Sequence, residues 1–396
     1  MKQESKNRSR NPFFIGLISF FGGISQDIFL PILPLYLSGV LGFGKEIIGL
    51  AEGFVTSSAS IFKIVSGFLS DKFRKSKPIV FAGYFISLIS RPLLALTSSV
   101  FGVIGLRLLD GIGKGVKDSA KDVLIAESTS AGSRGRGFGI VRALDTFGSV
   151  VGPILLFGLL YLLRDNDLKY RYIFFLTAIP LTFTLLILWI FVKEVPSVEK
   201  ISQPVLSLKL PKRFYIFMAI MTIFAIGNSS DAFLILRAQD VGVSFLVIPL
   251  VYALFNFFYA SASIPLGSLS DKIGREKVIL IGWLSFALAY LGFGLANQSW
   301  QIWLLFAFYG IYYATTEGVA KAFVADLTTS EHRGRAYGIY NSVVGLAALP
   351  ASFIAGLLWE KFGPQVPFYF GSAIAAFAVV ALFVFTRFNA RKVSVI

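Results

Sequence analysis

Ionisable side chains recur inside long apolar stretches of this sequence. The densest group lies in the segment RLLDGIGKGVKDSAKD, which begins at Arg107. On a helix with about 100° per residue, its charged side chains fall within an arc of roughly 140°. Each charge costs at least about 2.5 to 3.5 kcal/mol at membrane depth, so this face must line a hydrated cavity or pack against partners.

One carboxyl group is a candidate for proton chemistry. Asp27 lies in the segment GGISQDIFLPILP, whose glycines and prolines loosen a helix. A partly dehydrated carboxyl group can bind and release protons near neutral pH, so Asp27 is the leading candidate for a proton carrier. The alternative is a structural ion pair between Asp27 and Arg91 or Arg107. Asp110 and Glu52 are further candidates for proton coupling.

Charged residues and tyrosines together are predicted to line a substrate cavity. Tyr309 and Tyr313 stand 199 positions after Asp110 and Lys114. Aromatic residues therefore occupy positions in the second half that are equivalent to charged positions in the first. Ionic and aromatic contacts together suit an amphiphilic or anionic organic molecule. Ion pairs along one helix, such as Asp110 with Lys114, and ordinary packing of the tyrosines are the alternatives. The predicted cavity residues are Arg107, Lys114, Asp118, Arg142, Asp145, Asp231, Tyr309, Tyr313 and Glu317.

Long apolar runs must position these residues. The chain of 396 residues is 55% hydrophobic and only 15% charged. About 20 helical residues cross a hydrocarbon core of roughly 30 Å, and near-continuous apolar runs of that length indicate helices instead of the alternating strands of a β-barrel. The predicted fold class is therefore an all-α membrane protein with twelve transmembrane helices. The runs cover 13–38, 46–69, 78–98, 100–126, 136–162, 172–192, 214–237, 245–268, 277–296, 300–326, 336–359 and 366–387.

The distribution of positive charge predicts the orientation. The formal net charge is +15, and lysines and arginines gather in alternate connections between the apolar runs. This pattern is typical of the cytoplasmic side of a membrane protein, so both termini are expected in the cytoplasm and the chain in the cell inner (plasma) membrane. The same distribution argues against a nucleic-acid partner, because the charge follows the loops of a membrane protein.

The sequence gives no support for enzyme chemistry. It contains no cysteine, and its single histidine, His332, lies in a connection. A phosphate-binding P-loop and a cluster of metal ligands are both missing from the sequence. We therefore expect no enzyme activity, no cofactor and no metal site.

Three pairs of matching segments reveal an internal repeat. The pairs are GFLSDKFRKSK from Gly67 with GSLSDKIGREK from Gly267, SRGRGFGI from Ser133 with HRGRAYGI from His332, and SQDIFL from Ser25 with SSDAFL from Ser229. Each half contains six helices, so the halves share one orientation and form two pseudo-symmetric six-helix bundles. The predicted domains are an N-terminal bundle at 1–192, a cytoplasmic linker at 193–213, and a C-terminal bundle with a short tail at 214–396.

The loops GFLSDKFRKSK and GSLSDKIGREK resemble the signature of the major facilitator superfamily between helices 2 and 3 and between helices 8 and 9. The resemblance implies a secondary transporter in which two bundles rock about a central cavity. It also implies a gate built from these loops and from the two RGR segments. The gating residues that it implies are Gly67, Asp71, Lys72, Arg74, Arg134, Arg136, Gly267, Asp271, Arg275, Arg333 and Arg335.

The gate has a physical rationale in both copies of the loop. Gly67 and Gly267 would permit close approach of helices. Asp71 and Asp271 could bind the N-terminus of a neighbouring helix or an arginine of another loop. The alternative is that these charges serve only as a topology signal. The first copy has Arg74 where the second has a glycine, which predicts a turn of different shape.

These observations favour a secondary active transporter that works by rocker-switch alternating access. Proton-coupled export of a small amphiphilic or anionic organic solute is the leading hypothesis. The alternatives are proton-coupled import of a polar or anionic solute, export of a metal ion or flipping of a lipid, and a membrane sensor or scaffold that does not transport. The expected partners are the small-molecule substrate, the coupling proton and the lipid bilayer, and we expect a monomer.

Overall fold

The computed structural model describes residues 11–73, 75–129, 134–194, 210–329 and 332–393. For residues 68, 71, 72, 134, 135 and 388–393 it describes the backbone alone. Apolar composition favours helices in lipid, because a helix satisfies its backbone hydrogen bonds internally. The chain folds accordingly, and the predicted all-α fold class is confirmed.

Twelve membrane helices are present in the described ranges, two of them broken. The first half contains α1 (Asn11–Gly39), α2 (Lys45–Phe73), α3 (Lys77–Leu93), α4 (Val100–Ser128), α5 (Arg134–Leu162), α6a (Lys169–Leu176) and α6b (Ala178–Ile190). The second half contains α7a (Lys212–Gly227), α7b (Ala232–Asp240), α8 (Ile248–Ile273), α9 (Arg275–Leu295), α10 (Ser299–Asp326), α11 (Arg333–Phe362) and α12 (Val366–Val393).

Ten of these helices, counting each broken pair as one, are long and apolar enough to cross a membrane in the part of the chain that is described. The other two are α4 and α10. Both have the length of a span, but α4 carries a row of charges and α10 carries tyrosines, threonines and three charged residues toward its end. The polar faces thus lie on helices that hold equivalent places in the two repeats.

The chain divides into two compact units. The first contains the described residues of Met1–Phe43 and Phe54–Leu206, and the second those of Gly44–Gly53 and Ser207–Ile396. The first turns of α2 therefore pack with the second unit, where a Cβ on Gly49 would lie 2.1 Å from the carbonyl oxygen of Ser352 on α11. Most of the predicted linker, 193–213, lies outside the described residues, so the predicted domain boundaries stay a prediction.

Glycine contacts fix the charged helix α4 in the first unit. A Cβ on Gly83 of α3 would lie 2.6 Å from the carbonyl oxygen of Gly113, and a Cβ on Gly113 would lie 2.7 Å from that of Gly83. On the other side, a Cβ on Gly115 would lie 2.4 Å from the carbonyl oxygen of Ala59 on α2. Small residues let helix backbones approach closely in a membrane, where van der Waals packing drives association.

A similar contact brings α1 against α5. A Cβ on Gly148 would lie 2.3 Å from the carbonyl oxygen of Phe20. One turn further along, a Cβ on Gly152 would lie 3.1 Å from the Cβ of Asp27. Asp27 is therefore set directly against the backbone of α5.

The glycine contact between α3 and α4 generates a stability prediction. Gly113→Leu places a side chain where no space exists, and overpacking of this kind costs about 1 to 3 kcal/mol. We expect a lower unfolding temperature for the purified protein in detergent. Gly105→Leu is the matched control on the same helix, because no described atom lies within 4 Å of the added Cβ. Equal unfolding temperatures for the two variants would contradict the packing.

Candidate functional site

A buried ionic cluster lies in the first unit. Arg91 of α3 donates from Nε to Asp110 Oδ1 at 3.1 Å, and Arg107 donates from Nη1 to Asp110 Oδ2 at 3.2 Å. The exposed fractions are 2% for Arg91, 3% for Arg107 and 1% for Asp110. We call these three residues the arginine cluster. It places two positive charges beside one carboxylate, and the predicted cavity residue Arg107 is one of its members.

The arginine cluster ties α1 to α3 and α4. Arg91 donates to Ser25 Oγ at 2.9 Å and to the side-chain oxygen of Gln26. The ring of Phe29, also on α1, lies below both guanidinium groups, with its centroid 5.5 Å from Arg91 Cζ and 5.1 Å from Arg107 Cζ. Cation–π contact adds to the hydrogen bonds in holding two cations at this depth.

Asp27 has different surroundings. Its side chain is buried and hydrogen-bonds the side chain of Ser149 on α5. Arg91 and Arg107, the two partners considered for Asp27 from the sequence, both direct their guanidinium groups to Asp110. The close polar partner of Asp27 is thus a hydroxyl group.

Further along α4, ion pairs connect neighbouring helices. Asp118 binds Lys63 of α2 at 3.3 Å and Lys117 at 3.0 Å. Lys121 donates to Ser19 Oγ on α1 at 3.1 Å. This face of α4 is therefore occupied by partners on both neighbouring helices, as the cost of burying charges requires.

Lys114 and the pair Arg142 and Asp145 on α5 are the remaining predicted cavity residues of the first unit. Lys114 is half-buried, and Asp110 and Asp118, its possible partners along α4, bind the other basic groups described above. Arg142 and Asp145 pair along α5 at 3.8 Å, with Arg142 exposed and Asp145 half-buried.

In the second unit, the break in α7 is bound by tyrosines. Asp231, the N-cap residue just before α7b, accepts hydrogen bonds from Tyr309 at 2.9 Å and from Tyr313 at 3.3 Å. Asn228 donates to the Tyr312 hydroxyl at 3.1 Å. The Tyr290 hydroxyl lies 3.4 Å from Ser229 Oγ. We call these tyrosines, Tyr290, Tyr309, Tyr312 and Tyr313, the tyrosine cluster.

The arginine cluster and the tyrosine cluster occupy equivalent positions of the repeat. Ser25 matches Ser229 in the segments SQDIFL and SSDAFL. Ser25 contacts Arg91, and Ser229 contacts Tyr290. Tyr290 stands 199 positions after Arg91 in the sequence. The two halves thus build the same contact, one with a cation and the other with a neutral hydroxyl group.

Glu317 and Glu52 lie near the tyrosine cluster within the second unit. Tyr259 of α8 donates its hydroxyl to Glu317, and Lys321 lies 3.9 Å from the same carboxylate. Glu52, in the turns of α2 that belong to this unit, accepts from Ser230 Oγ at 3.5 Å. Both carboxylates therefore have hydroxyl partners.

The gating loop of the second half has a defined structure. Arg275, at the start of α9, donates to Asp271 at 3.5 Å and to the carbonyl of Ala322, and binds Asp326 at 2.9 Å, so it fastens the end of α8 to the end of α10. Gly274 supplies the turn with φ +98°, a conformation that other residues rarely adopt. This explains the glycine in this copy of the loop.

The two motif glycines differ in their packing. A Cβ on Gly67 would lie 3.3 Å from Ser119 Oγ on α4, so a close approach is present there. At Gly267 no described atom lies within 4 Å of such a Cβ. The expectation of close helix approach at Gly267 is wrong, because that face of α8 meets open space.

The other predicted gating residues give less structural information. Arg74 lies outside the described residues, as do the side chains of Asp71, Lys72 and Arg134. Arg136, Arg333 and Arg335 are exposed near the starts of α5 and α11.

Sequence reasoning missed several polar residues that the structure brings together. Arg237 on α7b is buried and donates to the carbonyl oxygens of Phe293 at 2.9 Å and Ala296 at 2.7 Å, at the end of α9. Its position within an apolar run was a usable signal. Tyr290 could have been found by its offset from Arg91.

Metal binding has no structural support in the described residues, which contain no group of three or more His, Cys, Asp or Glu side chains that could hold a metal ion.

The fold and the buried polar networks define a polytopic membrane protein with functional groups on helices that repeat in both halves. The sequence profile described as Major Facilitator Superfamily matches residues 15–236 and 214–394. An uncharacterized MFS-type transporter of Methanocaldococcus jannaschii is 40% identical over 94% of each chain. The chain belongs to the major facilitator superfamily, whose members are transporters and not enzymes.

Two further comparisons extend this result. The multi-drug resistance efflux pump PmrA of Streptococcus pneumoniae is 22% identical over 91% of this chain and 92% of its own. A crystal structure of a POT family transporter, in complex with a thioalcohol-conjugated peptide, superposes with a TM-score of 0.80 at 13% identity and covers 96% of each chain. The latter similarity confirms the twelve-helix fold predicted from the sequence.

The different partners of two carboxylates generate a second stability prediction. Asp110→Asn leaves two buried guanidinium groups without their counter-charge, which costs about 3 to 5 kcal/mol. Asp231→Asn is the matched substitution, and it alters hydrogen bonds to neutral hydroxyls that are worth about 0.5 to 1.5 kcal/mol each. We expect a clearly larger drop in unfolding temperature for Asp110→Asn. A drop of the same size in both variants would rule out the cluster as an ionic support.

Proposed function

We propose that this transporter exports a small amphiphilic or anionic organic solute by proton antiport, using rocker-switch alternating access, with Asp27 as the proton carrier. The observation that carries the proposal is the partner of Asp27, which is the hydroxyl group of Ser149. We further propose that the protein lies in the cell inner membrane with both termini in the cytoplasm.

The choice of Asp27 follows from hydrogen-bond chemistry. A hydroxyl group both donates and accepts, so Ser149 can bind Asp27 with or without a proton. Guanidinium groups carry donors alone, so Arg91 and Arg107 bind Asp110 as a carboxylate. A proton carrier must be accommodated in both states, and Asp27 meets this requirement better than Asp110. Glu52, with its long contact to Ser230, remains the second candidate.

The chemistry of the solute follows from the two clusters. The arginine cluster has a surplus positive charge that favours an anionic group, and the tyrosine cluster offers hydroxyl and ring contacts for an amphiphilic body. The name of PmrA supports export, since that relative is a multi-drug resistance efflux pump. Import of a polar or anionic solute by proton symport is the second candidate, because the surplus charge of the arginine cluster suits an anionic cargo in either direction.

Proton coupling can be tested in proteoliposomes that contain an internal pH dye. Purified full-length protein is screened against a panel of amphiphilic and anionic solutes. Asp27→Asn should abolish solute-driven proton movement, because an amide cannot take up the proton. Asp27→Glu, which retains the carboxyl group, should restore part of it.

The matched control for that experiment is Asp165→Asn, which changes an exposed aspartate that pairs with Arg164 in the connection between α5 and α6a. Proton coupling should persist in this variant, because Asp165 is neither buried nor one of the predicted cavity residues. Full coupling in Asp27→Asn would remove Asp27 from the mechanism. The sign of the pH change separates antiport from symport in the wild-type protein.

Contact between the solute and α4 can be tested with Lys114→Ala. Loss of a charge-assisted hydrogen bond of about 1.5 to 3 kcal/mol should weaken binding of an anionic solute roughly tenfold or more. Binding is measured by calorimetry on the solute found in the panel. Lys361→Ala is the control, since Lys361 is exposed near the end of α11 and is not one of the predicted cavity residues. Unchanged affinity in a folded Lys114→Ala variant would restrict Lys114 to a structural role.

A further inference from the structure

A cavity of about 580 Å³ lies in the first unit, and none of its lining residues belongs to the arginine cluster. It is formed between the start of α3 and the end of α6b, at the end of these helices where the basic loop emerges. Its walls are Lys75, Lys77, Pro78, Phe81, Trp189 and Glu194.

The apolar part of the cavity is built from exposed rings. Trp189 is 69% exposed, and Phe81 is also exposed. Phe85, one turn further into the membrane span, stacks on Phe81 with a centroid distance of 6.3 Å. A row of aromatic side chains that runs from the membrane boundary inward offers a surface for an acyl chain, and tryptophan is typical of the headgroup level.

The polar end of the cavity carries two ammonium groups. Lys77 Nζ donates to the carbonyl oxygen of Trp189 at 2.9 Å. An ammonium group has three donors, so two remain for another acceptor. Lys75 is exposed at the same opening.

Glu194 does not cancel both of these charges. Its two oxygens accept the backbone N–H groups of Ser76 and Lys77 at 3.0 Å each. A carboxylate in this position is compensated by the positive end of the α3 dipole. The cavity therefore combines an apolar wall with a net positive opening at the membrane boundary.

We propose that this cavity binds one anionic phospholipid, with the phosphate at Lys75 and Lys77 and an acyl chain along Phe81 and Trp189. Basic pockets between membrane helices on the cytoplasmic side are suited to such headgroups. This lipid site is separate from the proposed transport function. It does not depend on which solute is transported or in which direction.

The first test counts the lipids that stay bound to the full-length protein. The protein is purified from membranes that contain phosphatidylglycerol and phosphatidylethanolamine, and bound lipid is measured by native mass spectrometry. We expect one retained phosphatidylglycerol in the wild type and at least a fivefold loss of that species in Lys75→Gln/Lys77→Gln. Lys75→Arg/Lys77→Arg should retain it, because the charges remain.

The matched control is Lys272→Gln/Lys277→Gln, which removes two exposed charges from the equivalent corner of the second half. It should retain the lipid. Unfolding temperatures in lipid-free detergent show whether each variant is folded. If the glutamine variant does not fold, lipid retention is compared between the wild type and Lys75→Arg/Lys77→Arg. Equal retention in all variants, or preferential retention of phosphatidylethanolamine, would overturn the proposal.

A second readout locates the acyl chain. Phosphatidylglycerol with brominated chains should quench tryptophan fluorescence in the wild type more than in Trp189→Phe, whereas brominated phosphatidylcholine should show a smaller difference. Inorganic phosphate separates the possible sources of the anion. If phosphate alone displaces phosphatidylglycerol at millimolar concentration, the site recognises an anion only and the lipid assignment fails.

Discussion

A charge buried in a membrane protein must have a partner, because lipid offers none, and this constraint organises the polar interior of both halves. In the first unit the buried charges pair with one another: Arg91 and Arg107 share Asp110, and their guanidinium groups also contact α1. In the second unit the partners are neutral groups: tyrosine hydroxyls donate hydrogen bonds to Asp231 at a break in α7. The helices that supply these groups must be fixed closely for the contacts to form, and the glycine seams of α4 provide this.

Much of the architecture could be predicted from the sequence because hydrophobic length and internal repetition are strong signals. Both α4 and α10 were placed correctly although they are too polar for a simple hydropathy criterion. The breaks in α6 and α7 were not predicted. The polar segment 228–231, NSSD, lies within the run 214–237 that was predicted as one helix, and in the structure tyrosines of α10 bind its side chains.

The pairing of the charges could be predicted less well than their presence. Periodicity places Asp110, Lys114 and Asp118 on one face of α4, yet Asp110 and Asp118 also bind charges from other helices, Arg91 of α3 and Lys63 of α2. Such choices depend on helix separation and rotation, which a single sequence does not contain. The same limitation explains Gly267, where motif similarity to Gly67 predicted a close contact that the packing of α8 does not make.

The equivalence of Arg91 and Tyr290 has a consequence for how the two halves can diverge in sequence. Changing one residue of the arginine cluster leaves a buried charge without its partner, so its residues must be replaced together. A network of hydroxyl groups can lose one member while the other groups keep their hydrogen bonds. After a duplication, mutations would therefore accumulate one at a time around Tyr290 and only in concert around Arg91. By this argument the contact around Arg91 would change more slowly than the contact around Tyr290.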